Sequence, residues 1–436
     1  MSFLELEGII DFVTSNDGSA YLLRLDSNSK SSAAAQQLLD SGVRLLSLQP
    51  PADATEAQGG GLAAVLQRAG VRLGDRVSLV CGLVLPAAVP AAADRRARCL
   101  SVLGVKRLST QYGSGEQAGS ALGGRQFGLM ALMEMDCSAG WPQGLGAAAL
   151  AILGQPLKIS SISVEAATAW LQRVDQELSG CSRGTLRLAV NDSEVLPVAV
   201  PCTLDWMLRM RTCDTVAASE NLRDLMLQRI PLEYTRADVR ILVVPALAVT
   251  FCGWRGVALP GDRQVVLPAG IEGDAAKGTS LPWLGVHEVL HLFGLQHAGT
   301  AASELSPRAT STEGDPTSPM GCEGCGPGVS ICPNAPQMYY LGWADPLAEL
   351  DEAALPIGRA VQLTIPLQSK YRVSLVRLLP TWLPPASYTH NLYLSFRRAD
   401  DDEAGNDSIE LGLDASYSGK LLVHQAGAAH RLFPGA

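Results

Sequence analysis

The stretch that decides the fold spans residues 286–298 and reads VHEVLHLFGLQHA. Residues four apart lie on one face of a helix, so a helix here directs the imidazoles of His287 and His291 at one metal ion. Glu288 follows the first histidine, where its carboxylate can reach a water held by that metal. The spacing therefore predicts a helix that carries two metal ligands and an acid–base group.

Gly294 and His297 complete a pattern of the form HExxHxxGxxH. Glycine permits a left-handed backbone, so the helix can end at Gly294 and the chain can turn sharply. This turn returns His297 as a third ligand, and three protein ligands leave the fourth position open, as catalytic zinc requires. Three unrelated histidines are the alternative, but the chain has only six in all. Helix period, glutamate position and glycine break agree, so the pattern predicts a zinc site.

A methionine downstream supports the zinc interpretation. Met320 stands in the run Ser318–Gly321, 23 residues after His297. A methionine in a tight turn after this zinc motif is the mark of the metzincins, whereas a methionine alone is most often core filler. Asn334 then offers a helix cap, with Pro336 in the first turn. These features predict a tight turn followed by a short helix.

At these residues the chain resembles the gametolysin-type metallopeptidases, which are secreted metzincins of green algae and their relatives. The resemblance covers roughly residues 100–436 and is densest from 250 to 345. The first ninety residues resemble the family's N-terminal pro-region more loosely. The matching stretches are 178–182, 198–202, 252–254, 279–282, 287–298, the turn at Met320 and the run NAPQMYYLGW at 334–343.

The resemblance implies a zinc endopeptidase that degrades extracellular-matrix or cell-wall glycoproteins rich in proline and hydroxyproline. By matching position, His287, His291 and His297 would bind Zn²⁺, and Met320 would form the floor of the site. Glu288 would accept a proton from the zinc-bound water as it attacks the peptide carbonyl, and would then return it to the leaving amine. The expected partner is therefore a protein or glycoprotein substrate.

A second function remains open from the residues alone. The chain could be a non-catalytic matrix- or wall-binding protein built on a retired metzincin scaffold. A retired enzyme tends to lose the glutamate or one histidine, and all four are present here. A zinc hydrolase acting on a non-peptide bond would fit the metal motif but not the methionine turn.

The chain divides into three predicted regions. Residues 1–94 are predicted to form a β-rich, pro-like region, with an alternating run at 4–7 and a turn signal at Asn16–Gly18 between strand-like runs at 9–13 and 21–25. Residues 95–345 form the predicted metzincin-like catalytic domain, of the α/β class, with a twisted mixed sheet and an active-site helix. Residues 346–436 read as a β-rich C-terminal domain, with strands expected at 360–365, 371–378, 391–396 and 420–424.

Two amphipathic helices and a buried strand support the α/β class. The first helix is expected over Val164–Leu178, with Ser163 as its N-cap and Gly180 as its stop. Its inward positions are Ala167, Trp170, Leu171, Val174 and Leu178. The second is expected over 213–230 with Asp214 as its cap, and the strand over 239–244. The basic cluster at 94–98 reads as an exposed linker or as a processing site.

Composition narrows the class of partner and the compartment. A net charge of −9 argues against nucleic-acid binding, which needs a basic face. No apolar run reaches the roughly 20 residues of a membrane span. We expect the protein to be a monomer. The N-terminus MSFLELEGIIDF has neither the basic start nor the apolar run of a signal peptide. Ten cysteines and two glycosylation sequons nevertheless favour an oxidising compartment, so we expect an extracellular protein.

The cysteines admit several interpretations. Cys322, Cys325 and Cys332 resemble a zinc knuckle, but a structural zinc site needs four ligands, so disulfides are favoured. Cys81 or Cys99 could instead hold the open zinc position of a latent precursor, since a thiolate is a good zinc ligand. An ordinary disulfide or a buried thiol is the alternative for both.

Overall fold

The fold is mixed α/β, as predicted, with several sheets and with helices on both faces of the central one. The computed structural model describes residues 2–15, 18–25, 45–48, 76–84, 97–109, 124–136, 158–159, 162–200, 215–245, 255–269, 282–299, 314–321, 331–384, 390–399 and 413–427, with the single residues 66, 203, 387 and 388.

The N-terminal strands form a closed barrel in the order β1-β2-β3-β5-β4. Apolar side chains face one another across neighbouring strands, as Leu6 does with Leu79 and Ile10 with Leu23, and all four are fully buried. The runs 4–7 and 9–13, expected as separate strands, belong to one strand. The barrel strands are β1 Ser2–Ser15, β2 Gly18–Leu25, β3 Leu45–Leu48, β4 Arg76–Val84 and β5 Ala97–Ser109.

The barrel extends past the boundary expected at residue 94. Ala97 and Arg98, the last residues of the predicted basic linker, begin β5 and pair with β3. β5 also pairs with β4 along most of its length, as far as Ser109. The basic cluster therefore leads directly into a strand.

The central sheet has the order β10-β7-β11-β13-β12, with β8 beside β7. Neighbours from β10 to β13 are parallel, and β12 closes one edge as an antiparallel strand. Strands buried on both faces read as near-continuous apolar runs, which explains the sequence of β11. The strands of this sheet are β7 Gly128–Asp136, β8 Lys158–Ile159, β10 Glu194–Val200, β11 Val239–Val244, β12 Val257–Leu259 and β13 Gln264–Pro268. Two further strands, β6 Gly124–Gln126 and β9 Leu186–Leu188, pair with each other in a separate sheet.

Alternate residues of the sheet enter two separate cores. Ile241 and Val243 join the larger core on one face, while Leu242 and Val244 join the smaller core on the other. Helix α1 (Val164–Ser182) packs on the first face and α2 (Thr215–Arg229) on the second, followed by the short α3 (Pro231–Arg236). The inner strands are therefore held rigidly from both sides.

Helix α1 matches its prediction closely. Ser163 caps it by accepting a hydrogen bond from Ala166 N, and the five predicted inward side chains are all buried. The predicted stop at Gly180 is wrong, because the helix continues to Ser182 and Arg183 ends it in a left-handed conformation, with φ 54°. The predicted cap of α2, Asp214, lies outside the described residues.

The C-terminal strands form a four-stranded sheet in the order β14-β15-β16-β17. Its strands are β14 Asp345–Leu350, β15 Val373–Leu378, β16 His390–Arg397 and β17 Lys420–Gly427. The strand expected at 360–365 is wrong: the segment runs without strand pairing, and its side chains are mostly exposed. Among the described residues, no strand pairs with this segment.

The C-terminal sheet shares its core with the central unit. Leu375, Tyr393 and Ala426 belong to the same buried cluster as Met320 and residues of α1. Two further elements complete the helices: α4 Pro282–Leu292 and α5 Ala335–Tyr340. Within the described part of the chain, no helix has both the length and the apolar composition to cross a membrane.

A disulfide joins α1 to the segment before α5. Cys181 pairs with Cys332, 151 residues further along the chain. Next to it, Arg183 donates from its guanidinium to the backbone carbonyls of Trp343 and Gln368. The end of α1 is thereby attached to the part of the chain that leads into the C-terminal sheet.

Replacing Cys181 and Cys332 together by alanine should lower the free energy of unfolding by about 2–5 kcal/mol, because a cross-link closing so long a loop restricts the unfolded chain. Urea denaturation followed by far-ultraviolet circular dichroism measures this. A variant whose unfolding midpoint equals that of the wild type would contradict a stabilising role for the bridge.

Candidate metal centre

Helix α4 presents two histidines on one face. His287 and His291 are one turn apart, and both are buried, with 7% and 2% of their surface exposed. The helix packs against α1 so closely that a Cβ added to Gly285 would lie 2.3 Å from the ring of Trp170. Close packing on the opposite side therefore fixes the direction in which the two imidazoles point.

The chain then turns sharply, as the glycine in the motif predicts. Gly294 has φ 87°, a left-handed conformation that side chains disfavour, and a Cβ there would lie 2.7 Å from the hydroxyl of Tyr340. The turn brings His297 back toward α4. The Nε2 atom of His297 lies 3.2 Å from Nε2 of His287 and 3.2 Å from Nε2 of His291.

The three Nε2 atoms form a nearly equilateral triangle, since those of His287 and His291 are 3.1 Å apart. Nδ1 of His287 lies 2.7 Å from the carbonyl oxygen of Pro319, and Nδ1 of His291 lies 2.6 Å from that of Leu295. A carbonyl oxygen only accepts hydrogen bonds, so each Nδ1 carries the proton and each Nε2 presents a lone pair. Two lone pairs are thereby aimed at the centre of the triangle.

This arrangement fits a bound cation. Neighbouring nitrogens in a tetrahedral zinc site, with bonds of about 2.0–2.1 Å, are about 3.3–3.4 Å apart, and the observed triangle is only slightly tighter. Buried lone pairs directed at one another repel unless a positive charge lies between them. Three imidazoles are suitable ligands for Zn²⁺, and together they leave one coordination position open.

Burial keeps the three histidines neutral. Loss of hydration lowers the pKa of His287 to about 4, although the Pro319 carbonyl opposes the shift. Burial and the neighbouring His287 lower the pKa of His297 to about 3. The pKa of His291 also falls well below its usual value, mainly through burial. At neutral pH all three are in the unprotonated state that binds metals.

Glu288 follows His287 on α4, and its side chain lies in a pocket that only a glycine permits. Its side chain is 5% exposed. A Cβ added to Gly256, just before β12, would lie 2.4 Å from its Oε1 atom and 2.8 Å from its Cγ. Gly256 is thus a site residue that the motif does not show, because it lies 32 positions earlier in the chain.

Met320 lies in the tight turn that the sequence predicts. It is fully buried, and Gly321 N donates to Ser318 O across the turn. The carbonyl of Met320 accepts from Ala298 N, next to His297, while Pro319 contacts His287 as described above. After the turn, Asn334 caps α5 by a reciprocal exchange of hydrogen bonds with Gln337, as expected.

The predictions made for the individual cysteines have different outcomes. Cys332 is in the disulfide with Cys181, and Cys322 and Cys325 lie outside the described residues. Cys81 and Cys99 lie on the neighbouring strands β4 and β5, where Cys99 pairs with Leu83, but their side chains are outside the described part. Among the cysteines whose side chains are described, none is free. The latency hypothesis therefore remains a prediction.

Comparison with known proteins agrees with the site. Residues 135–431 match the family model described as Gametolysin peptidase M11. A shorter stretch of 99 residues is 36% identical to Autolysin of Chlamydomonas reinhardtii. This stretch makes up 22% of the present chain and 14% of the length of Autolysin. No solved structure matches. Because the family match covers more than half of its length, the chain belongs to the gametolysin peptidase family.

Proposed function

We propose that this protein is a zinc endopeptidase with His287, His291 and His297 as the metal ligands. The observation that carries the proposal is the triangle of Nε2 atoms from two buried histidines and the half-buried His297, 3.1–3.2 Å apart. A family of metallopeptidases provides the matching context. The parallel sheet with its antiparallel edge strand β12, the helix α4 and the turn at Met320 support a metzincin-like fold for the catalytic unit.

Glu288 is the acid–base group of the proposed reaction. Zinc, when bound, supplies the positive charge that lowers the pKa of water to about 7 and polarises the peptide carbonyl. The carboxylate of Glu288 accepts the proton of the attacking water and donates it to the leaving amine. The hydrogen bonds from Nδ1 to the Pro319 and Leu295 carbonyls hold the His287 and His291 rings in position and raise the basicity of Nε2.

We propose cell-wall or extracellular-matrix glycoproteins as substrates and an extracellular location. The family match and the similarity to Autolysin support a wall substrate. The disulfide between Cys181 and Cys332 supports an oxidising compartment. The wall-binding alternative on a retired scaffold is less favoured, because the three histidines lie together and the glutamate of the motif is present.

Replacing Glu288 by glutamine should leave zinc binding intact and lower kcat by about 10²–10⁴-fold, because the amide cannot accept the proton. Zinc content by atomic emission and cleavage of a protein substrate, with and without a chelator, measure both effects. The control is His287→Ala, which should lose zinc as well. Near wild-type cleavage by Glu288→Gln would reject the assignment of this glutamate, whereas a zinc-loaded wild type that cleaves nothing would favour the binding alternative.

Gly256→Ala should lower kcat by about 10²-fold while zinc content stays unchanged, because the new Cβ displaces the Glu288 carboxylate. Gly128→Ala is a matched control: its Cβ would meet the hydroxyl of Ser193, 2.9 Å away, and not Glu288. Equal activity of the two variants would show that Gly256 does not set the position of the carboxylate.

The cysteine-latency hypothesis predicts that Cys81→Ser and Cys99→Ser, introduced together, raise the peptidase activity of the full chain. A thiolate released from the open zinc position would leave it free for water. Initial rates of the purified full-length protein, measured before any processing, decide the point. Unchanged rates would reject latency through these thiols.

A further inference from the structure

The turn that carries Met320 is built around a buried carboxylate. Asp315 is 6% exposed, and its Oδ1 accepts hydrogen bonds from the backbone N and the hydroxyl of Thr317 at 2.8 and 2.6 Å. Its Oδ2 accepts from Nδ2 of Asn334 at 2.8 Å. Burial raises the pKa of Asp315, but the hydrogen bonds from His424, Thr317 and Asn334 outweigh it and lower the pKa to about 2. The turn therefore contains a fixed negative charge.

The C-terminal sheet provides two side chains, His424 and Arg397, that donate hydrogen bonds to this turn. His424 on β17 places Nε2 2.9 Å from the hydroxyl of Thr317 and 3.5 Å from Oδ2 of Asp315. Because the Thr317 hydroxyl already donates to Asp315, it accepts from His424, whose Nε2 therefore carries a proton. Thr317 thus links β17 to the carboxylate.

Arg397 on β16 makes the second link. Its side chain is fully buried, its Nη1 donates to the carbonyl of Thr317, and its Nη2 donates to the carbonyl of Cys332 at 3.3 Å. A buried guanidinium is costly unless it is hydrogen-bonded, so Arg397 strongly favours the backbone position that satisfies it. The C-terminal sheet therefore binds both the side chain and the backbone of the same residue of the turn.

The turn contacts His287 directly, and it also exchanges backbone hydrogen bonds with Ala298, next to His297. Ser318 donates to Oε1 of Gln337 at 2.5 Å and accepts from Met320 N at 3.1 Å, which fixes the residues on either side of Pro319. The Pro319 carbonyl accepts from Nδ1 of His287. By contrast, His291 is oriented by Leu295, four residues away in its own turn. The two helical ligands therefore have separate supports.

We propose that the C-terminal sheet is a positioning element of the metal centre. His424 and Arg397 hold the turn at 315–320, and the Pro319 carbonyl of that turn orients His287 toward the metal. This inference rests on the proposed zinc site. It goes beyond that site because it gives His424 and Arg397 a role in metal affinity, although they lie 107 and 80 positions after Thr317.

The first experiment measures zinc affinity by competition with a chelating dye on the full chain. His424→Ala and Arg397→Met should each weaken zinc binding about 10–100-fold, as is typical when the partners of metal ligands are lost. His424→Gln should retain most of the affinity, because its amide N–H can still donate to Thr317. The matched control is Arg372→Met, which breaks an exposed ion pair with Asp345 in the same sheet and should not change affinity.

The second experiment separates positioning from general destabilisation. Imidazole nitrogen NMR of the zinc-free protein compares His287 with His291 in the wild type and in His424→Ala. The His287 signals should shift, because its Nδ1 loses the fixed Pro319 carbonyl, whereas those of His291 should stay, because Leu295 orients it. Equal shifts at both histidines, or wild-type zinc affinity in His424→Ala, would overturn the inference.

The outcomes remain distinct from a failure of the proposed function. Absence of zinc from the wild type would reject the zinc site and this inference together. Zinc bound by the wild type with no effect of the sheet variants would reject the inference alone. If Arg397→Met does not fold, the His424 series still decides the question.

Discussion

The structure depends on holding three neutral imidazoles together in a buried space. Their Nε2 atoms lie 3.1–3.2 Å apart, and without a cation this places electron pairs against one another. Side chains keep such positions only when their surroundings are rigid. The required rigidity comes from three sources: the packing of α4 on α1, the left-handed turn at Gly294 and the carbonyl of Pro319.

Each of these sources depends on a larger element. The sheet is buried on both faces, so α1 and α4 pack on a surface that cannot deform easily. The disulfide at Cys181 fixes the end of α1 relative to the segment before α5. The Pro319 carbonyl depends on a turn whose hydrogen bonds reach α5 and the C-terminal sheet. The arrangement of the three histidines is therefore a property of the whole core that these elements share.

The sequence predicted the local parts of this arrangement well. The helical period identified the inward face of α1, and the spacing of the motif predicted that His287, His291 and His297 lie together. Both predictions depend only on residues within one or two turns of one another. It also predicted the cap at Asn334. Predictions that needed a partner strand were weaker. The expected runs 4–7 and 9–13 are parts of one strand, and the segment 360–365 forms no strand. A strand requires a neighbouring strand, which the sequence of an isolated segment does not reveal.

The residues that the sequence did not reveal share one property, which is long separation along the chain. Gly256 makes room for Glu288 from 32 positions upstream, and Pro319 orients His287 from 32 positions downstream. Arg397 and His424 act on Thr317 from 80 and 107 positions away. Each such contact closes a long loop of the chain. The entropy lost on closing this loop is offset only after the intervening elements have packed. The motif identifies the candidate ligands by local spacing, whereas the turn that orients His287 takes its support from contacts that reach the last strand, β17.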